Sequence, residues 1–172
     1  GEVYNMNASV TLYAVWEKTK YTISYDACSG SGVPENQTKI YGEILILSST
    51  TPTLDGYTFL GWATEVSGGC SATSASYQSG ASYTSNASAT LYAVWEKTKY
   101  TISYDANGGS GVPDNQTKSH DVELTLSSTK PTREGYVFLG WSTSSTATSA
   151  TYQAGEVYNM NASVTLYAVW EK

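Results

Sequence analysis

The chain copies itself, and that repetition limits what it can fold into. Residues 20–64 align with residues 99–143 at an offset of 79 without a gap, and 31 of the 45 pairs are identical. Beyond that point the offset falls to 75, because Tyr77 answers to Tyr152 and Trp95 to Trp170. The first repeat therefore holds four extra residues, within positions 65–73. Residues 1–18 are identical to residues 155–172 at all 18 positions. This divides the chain into residues 1–18, read as the final strand of a preceding truncated repeat, and whole repeats at 20–97 and 99–172. A longer parent array is expected. Internal periods of this kind mark units that gain stability from their neighbours. A unit below about 80 residues builds a core worth only a few kcal/mol, so neighbours or a crosslink would help it.

Within each repeat the words read as strands and turns. Tyr21-Thr22-Ile23-Ser24-Tyr25 and Tyr100 to Tyr104 alternate as strands do. Asp105-Ala106-Asn107-Gly108-Gly109-Ser110-Gly111 follows as a turn-rich loop. Residues 38–47 and 117–126 read as a second strand each, with Glu43-Ile44-Leu45-Ile46-Leu47 the most apolar part. Gly56 to Trp62 and Gly135 to Trp141 read as short strands whose inner glycine admits another backbone. A Ser/Thr/Gly segment comes next. The closing strands are expected at 89–95 and 164–170. The chain is thus expected to be mainly β with little helix.

Charge narrows the function. Lys plus Arg is 9 and Asp plus Glu is 15, for a net charge of -6. That speaks against nucleic acid, which is held by clustered cations, and gives no basic face for anionic lipid. No apolar run approaches the ~20 residues of a membrane helix, so no membrane insertion is expected. The opening residues carry no basic-apolar-small leader. An export signal and any wall anchor are expected elsewhere in a parent protein. Only 14% of residues are charged. Ser, Thr, Gly, Asn and Tyr fill the difference, as they commonly do in secreted β-rich modules.

Three words occur in order here: Tyr-Thr-Ile-Ser-Tyr-Asp-Ala-Asn-Gly-Gly, Pro-Thr-Arg-Glu-Gly-Tyr-Val-Phe-Leu-Gly-Trp and Val-Thr-Leu-Tyr-Ala-Val-Trp. Together they resemble the Listeria–Bacteroides repeat, the family that includes the B-repeat of internalin-type surface proteins. The resemblance covers nearly the whole chain. It implies tandem β-grasp-like repeats, with first and last strands parallel neighbours, in an extracellular or cell-wall-attached protein. It carries no catalytic residues. The Ser/Thr/Gly segment stands where the family places its helix, so that helix is expected to be short or absent.

No residue set reads as catalytic, metal-binding or cofactor-binding. Asp105 and Asn107 are spaced like calcium ligands, but no bidentate Glu follows, and the first repeat has Asp26 and Cys28 there. A turn is the simpler reading. Trp62, Trp95, Trp141 and Trp170 sit in strand words with Tyr57 and Tyr136 nearby, and are assigned to the core rather than to a sugar platform. His120, which reads as a solvated strand residue, is the only histidine, and its counterpart is Tyr41. That removes a two-His metal site and a repeated Ser-His-Asp triad. Sequons at Asn7, Asn36, Asn86, Asn115 and Asn161 are read as turn residues. Lys20 and Lys99 start strands, and a Lys–Asn crosslink is weighed for them without any supporting feature. Cys28 and Cys70 are both peculiar to the first repeat, so they are expected to pair. The bond would close a loop of about 43 residues, worth roughly 4 kcal/mol in the chain-entropy account, in an oxidising compartment.

Two functions fit these features. The favoured one is a non-catalytic spacer or stalk that presents other domains, with neighbouring repeats as its partners. The other is a weak multivalent adhesin holding a host glycan or protein through exposed Tyr and loop residues. Residues 1–18 raise a separate question. Val10 to Trp16 is apolar and strand-forming, and its backbone groups need partners. It is expected to pair either with the first repeat or, preferentially, with a sheet edge of another copy of the chain.

Overall fold

The computed structural model describes residues 9–172. Each repeat builds one four-stranded sheet and a separate two-stranded ribbon. In the first, β1 (Lys20–Asp26), β2 (Gln37–Ile40), β4 (Tyr57–Thr64) and β6 (Ala89–Lys97) lie in the order β2-β1-β6-β4. The short strands β3 (Leu45–Ile46) and β5 (Ser82–Tyr83) pair beside them. The second repeat has the same plan. Here β7 (Lys99–Asp105), β8 (Gln116–Ser119), β10 (Val137–Ser142) and β12 (Val164–Glu171) form the larger sheet. The ribbon is β9 (Leu124–Thr125) with β11 (Val157–Tyr158).

The first and last strands of each repeat are parallel neighbours. Ile23 stands opposite Ala89 and Tyr25 opposite Leu91; Ile102 and Val164 are matched in the same way. The closing strand is therefore central, with β4 or β10 antiparallel on its other side. Inward residues meet in one cluster per repeat. Ile23, Tyr25, Leu47, Trp62, Tyr83, Leu91 and Ala93 make the first, and their counterparts, with Trp141 at its centre, make the second. Trp62 and Trp141 are wholly buried. Tyr25 and Phe59 meet the Trp62 ring edge-on at centroid distances of 4.8 and 5.0 Å, a geometry aromatic pairs favour. The indole N–H groups of both tryptophans lack a partner, a desolvation cost that the surrounding ring contacts offset. Trp95 and Trp170 are half-buried, and each indole N–H donates to a loop carbonyl, of Ala27 or Ala106, at 2.9 Å.

Two expectations need correction. The strands expected at 38–47 and 117–126 are each broken in two. Gly42 turns at φ 75° and Asp121 at φ 51°, and these left-handed residues end β2 and β8 early. Ile44 and Ile46 consequently lie 66% and 57% exposed, although they belong to the most apolar word of the repeat. Second, Tyr57 and Tyr136 lie outside both core clusters and are only half-buried. They stand at strand starts, at the end of the repeat. Val10 to Trp16, with no other copy of the chain beside it, forms no strand and is exposed, Leu12 at 80% and Val15 at 96%. It pairs with no edge of the first repeat, and residues 1–8 lie outside the described residues.

In place of a long helix, the first repeat carries two single turns of 3-10 helix, Glu65–Ser67 and Gly69–Ser71. They fall in the insertion and bring Cys70 against the β1 loop. Cys28 and Cys70 are bonded, with Cα atoms 5.4 Å apart. The second repeat fastens the same loop without sulfur. Asn107 Nδ2 donates to the carbonyls of Ser145 at 2.8 Å and Ala168 at 3.1 Å.

The inner glycines of β4 and β10 serve a close approach. Gly61 and Gly140 sit at φ 132° and 139°, where a register shift interrupts each ladder. A Cβ on Gly140 would stand 2.6 Å from the Tyr152 carbonyl oxygen and equally near Ala150. Gly140→Ala should therefore cost about 3 kcal/mol or more, backbone strain and overlap together. Gly111 also has a positive φ, 78°, but open space around it, and Gly111→Ala should cost only about 1 kcal/mol. Urea unfolding of the two variants checks the difference; equal losses would refute the steric account. A thiol titration on unfolded, unreduced protein should find no free thiol. Finding two would overturn the Cys28–Cys70 bond.

Candidate functional site

The most elaborate polar arrangement in the molecule lies where the repeats meet. β6 ends at Lys97 and β7 begins at Lys99, so one strand runs from the first sheet into the second through Thr98 alone. In an extended residue the N–H and C=O point to the same side. Thr98 divides them between the repeats. Its N–H donates to the Gly56 carbonyl at 2.9 Å, and its carbonyl accepts from the His120 N–H at 2.8 Å. The start of β4 and the end of β8 thus abut beside this strand.

His120 fills the seam. A Cβ built on Gly56 would fall 2.1 Å from the imidazole, so only glycine leaves room for that ring. Gly56 also holds φ 73°, which glycine adopts without strain. Tyr57 lies near the other side, 6.5 Å away between centroids. The Tyr100 hydroxyl meets His120 Nδ1 at 2.9 Å, and Asp121 Oδ2 lies 3.4 Å from Nε2. From sequence, His120 is expected to be a solvated strand residue. It is instead 14% exposed, because the first repeat covers it, a contact between repeats that no pattern within one repeat encodes.

Each repeat also holds a buried lysine: Lys118 lies beside this seam, and its counterpart Lys39 lies at the other end of the first repeat, beside Tyr41. Lys39 and Lys118 are both 1% exposed. Lys39 Nζ donates to Asn86 Oδ1 at 2.9 Å and Lys118 Nζ to Asn161 Oδ1 at 2.8 Å. The same oxygens accept backbone N–H groups of Gly42 and Asp121, both at 3.0 Å. Two of the sequon asparagines are therefore latches between the turn after β2 or β8 and the closing strand. Only the second repeat adds an acid. Asn161 Nδ2 donates to Asp121 Oδ1 at 2.7 Å. That hydrogen bond, helped by the charges of His120, Lys97 and Lys118, holds the Asp121 carboxyl below its ordinary pKa. Lys118, Asn161 and Asp121 together form a hydrogen-bonded clasp. Lys20 and Lys99 are exposed and pair with Glu17 and Glu96.

The remaining candidates take structural roles. Asp105 Oδ1 accepts the Asn107 N–H at 2.7 Å, and Asp26 Oδ1 the Cys28 N–H at 2.8 Å, which makes both loops Asx turns. Asp26, Cys28 and Cys70 come close together, but both sulfurs are spent on each other. Among the described residues only Tyr13 and Tyr41 are exposed tyrosines. A hollow of 510 Å³ lies beside β1, lined by Thr22, Ser24, Thr64, Glu65, Val66 and Ser88 to Thr90. Its walls are hydroxyl-rich and carry no aromatic ring on which a sugar could stack. Among the described residues no helix is long and apolar enough to cross a membrane.

Comparison with known proteins places this arrangement. A protein of Evansella cellulosilytica provisionally named a membrane protein is 34% identical over 174 residues, covering 98% of this chain and 24% of its own length. Another from the same organism, provisionally named a Gly-rich membrane protein, is 32% identical over 168 residues, covering 94% of this chain and 18% of its own length. The chain thus spans a quarter or less of these relatives. No solved structure matches it. The Listeria-Bacteroides repeat domain matches at residues 21–94 and again at 100–169, and the chain belongs to that family, as two tandem copies.

Proposed function

We propose that this chain is a non-catalytic spacer, part of an extracellular array that holds other domains away from a cell surface. The observation that carries this reading is the shared Thr98. A one-residue link whose two backbone groups are bonded to different repeats leaves little freedom to bend, whereas an unpaired linker is mobile. The chemistry around it points the same way. Polar groups of the seam are used up in hydrogen bonds between elements, and the buried lysines are locked onto amides. The surface location rests on the disulfide, which suits an oxidising setting, and on relatives named for the membrane. The adhesin reading has less support, because among the described residues only Tyr13 and Tyr41 are exposed tyrosines, and the hydroxyl-lined hollow lacks a stacking ring.

The spacer reading is tested by pairs of spin labels, one on each repeat. A single narrow distance distribution is expected in the unmodified chain. Gly56→Val places its side chain where the imidazole lies and should broaden or split that distribution while each repeat stays folded. A broad distribution in the unmodified chain would sink the proposal. A glycan array probed with the whole chain should remain blank; a saturable signal would favour the adhesin.

A further inference from the structure

We infer that residues 9–19 and Tyr41 are half of a second junction, and that its partner is the end of another repeat of this same family, in which Val10 to Trp16 takes the closing-strand place. The inference deepens the spacer reading by naming the partner, and rests on it for its meaning.

The first ground is a sequence in two environments. Val10 to Trp16 and Val164 to Trp170 are the same seven residues. In the later copy Leu166 and Val169 are 0% and 1% exposed; in the earlier copy Leu12 and Val15 are 80% and 96% exposed. What differs is the company. β12 lies between β7, parallel, and β10, antiparallel with its glycine bulge. A partner able to cover Val10 to Trp16 in the same way must supply such a pair of strands, and a loop carbonyl for the Trp16 indole like that of Ala106.

The second ground is a half-made seam. The Thr19 carbonyl accepts the Tyr41 N–H at 2.9 Å, as that of Thr98 accepts the His120 N–H at 2.8 Å. Among the described residues no carbonyl meets the Thr19 N–H as Gly56 meets that of Thr98. Tyr41, the counterpart of His120, is 54% exposed. The complementary half stands open at the far end. Gly135 holds φ 72°, against 73° for Gly56. A Cβ on Gly135 would meet nothing within 4 Å, where Gly56 meets the imidazole. The glycine seat keeps its shape without an occupant, so an aromatic residue of a following repeat can enter it. Tyr41 is the aromatic this chain offers to such a seat in a preceding repeat.

The experiment joins a copy of residues 99–154 ahead of Gly1, so that the added body is closed by residues 1–18 and followed directly by Thr19. Hydroxyl-radical footprinting and amide exchange are compared with the unmodified chain. Leu12, Val15, Trp16 and Tyr41 should become protected, and exchange at Thr19 should slow by about tenfold or more, as for a newly hydrogen-bonded strand amide. Gly135→Val in the added copy should expose Tyr41 again while Trp16 stays protected. If Trp16 remains exposed, the partner is wrong. If Trp16 is covered but Tyr41 and Thr19 are unchanged, the seam is wrong. Neither failure touches the distance across Thr98, so the spacer reading is judged separately.

Discussion

Each repeat depends on its closing strand. β1 and β4 are not neighbours; they are joined only through β6, which pairs with one on each side. β6 also delivers Leu91 and Ala93 to the core and lays Trp95 over the loop after β1. Ile23 and Ala89 lie far apart in sequence, yet closing so long a loop costs little more than closing a shorter one, because the entropy grows only with the logarithm of length. The excursion between them can therefore vary. The first repeat carries its extra 3-10 turns there without disturbing the register shared with the second.

The buried lysines secure the ends of that excursion. Taking an ammonium group out of water is expensive unless several acceptors surround it. Lys39 finds the Ile40 carbonyl at 2.7 Å and the Asn86 amide oxygen. The arrangement ties β2 to the segment leading into β6, so the sheet edge and the closing strand hold each other. It also fixes the turn at residues 41–43 that presents Tyr41, and in the second repeat His120, to the junction. Core, latch and seam form one connected set of constraints.

Much of this was legible in the sequence. The offset of identical words set the repeat plan, and alternation found β1 and the closing strand. The glycine within Gly56 to Trp62 marked a close approach, which proves to be the Tyr77 carbonyl. Other features were hidden for physical reasons. Lys39 lies between Thr38 and Ile40, and only the structure shows that the lysine points inward while Thr38 is exposed. The left-handed turn at Gly42 was masked by the apolar run that follows it. Tyr57 looked like core because its word is aromatic, but its position at the strand start places it at the end of the repeat. His120 could not be read correctly from either repeat alone, since what buries it is the neighbour.

The same limit shows most plainly in the duplicated word. Val-Thr-Leu-Tyr-Ala-Val-Trp has strong strand-forming composition, and at 164–170 it is the central strand of a sheet. At 10–16 it is exposed and not a strand. Intrinsic preference is identical in the two places, so it cannot be what decides. The decision belongs to the strands on either side, whose hydrogen bonds and apolar faces give the word something to bury against. In a repeat family this makes the closing strand the point where one unit's fold and its attachment to the next are settled together. Thr98 continues that strand directly, so a repeat that closes correctly also delivers the two backbone groups that align its neighbour.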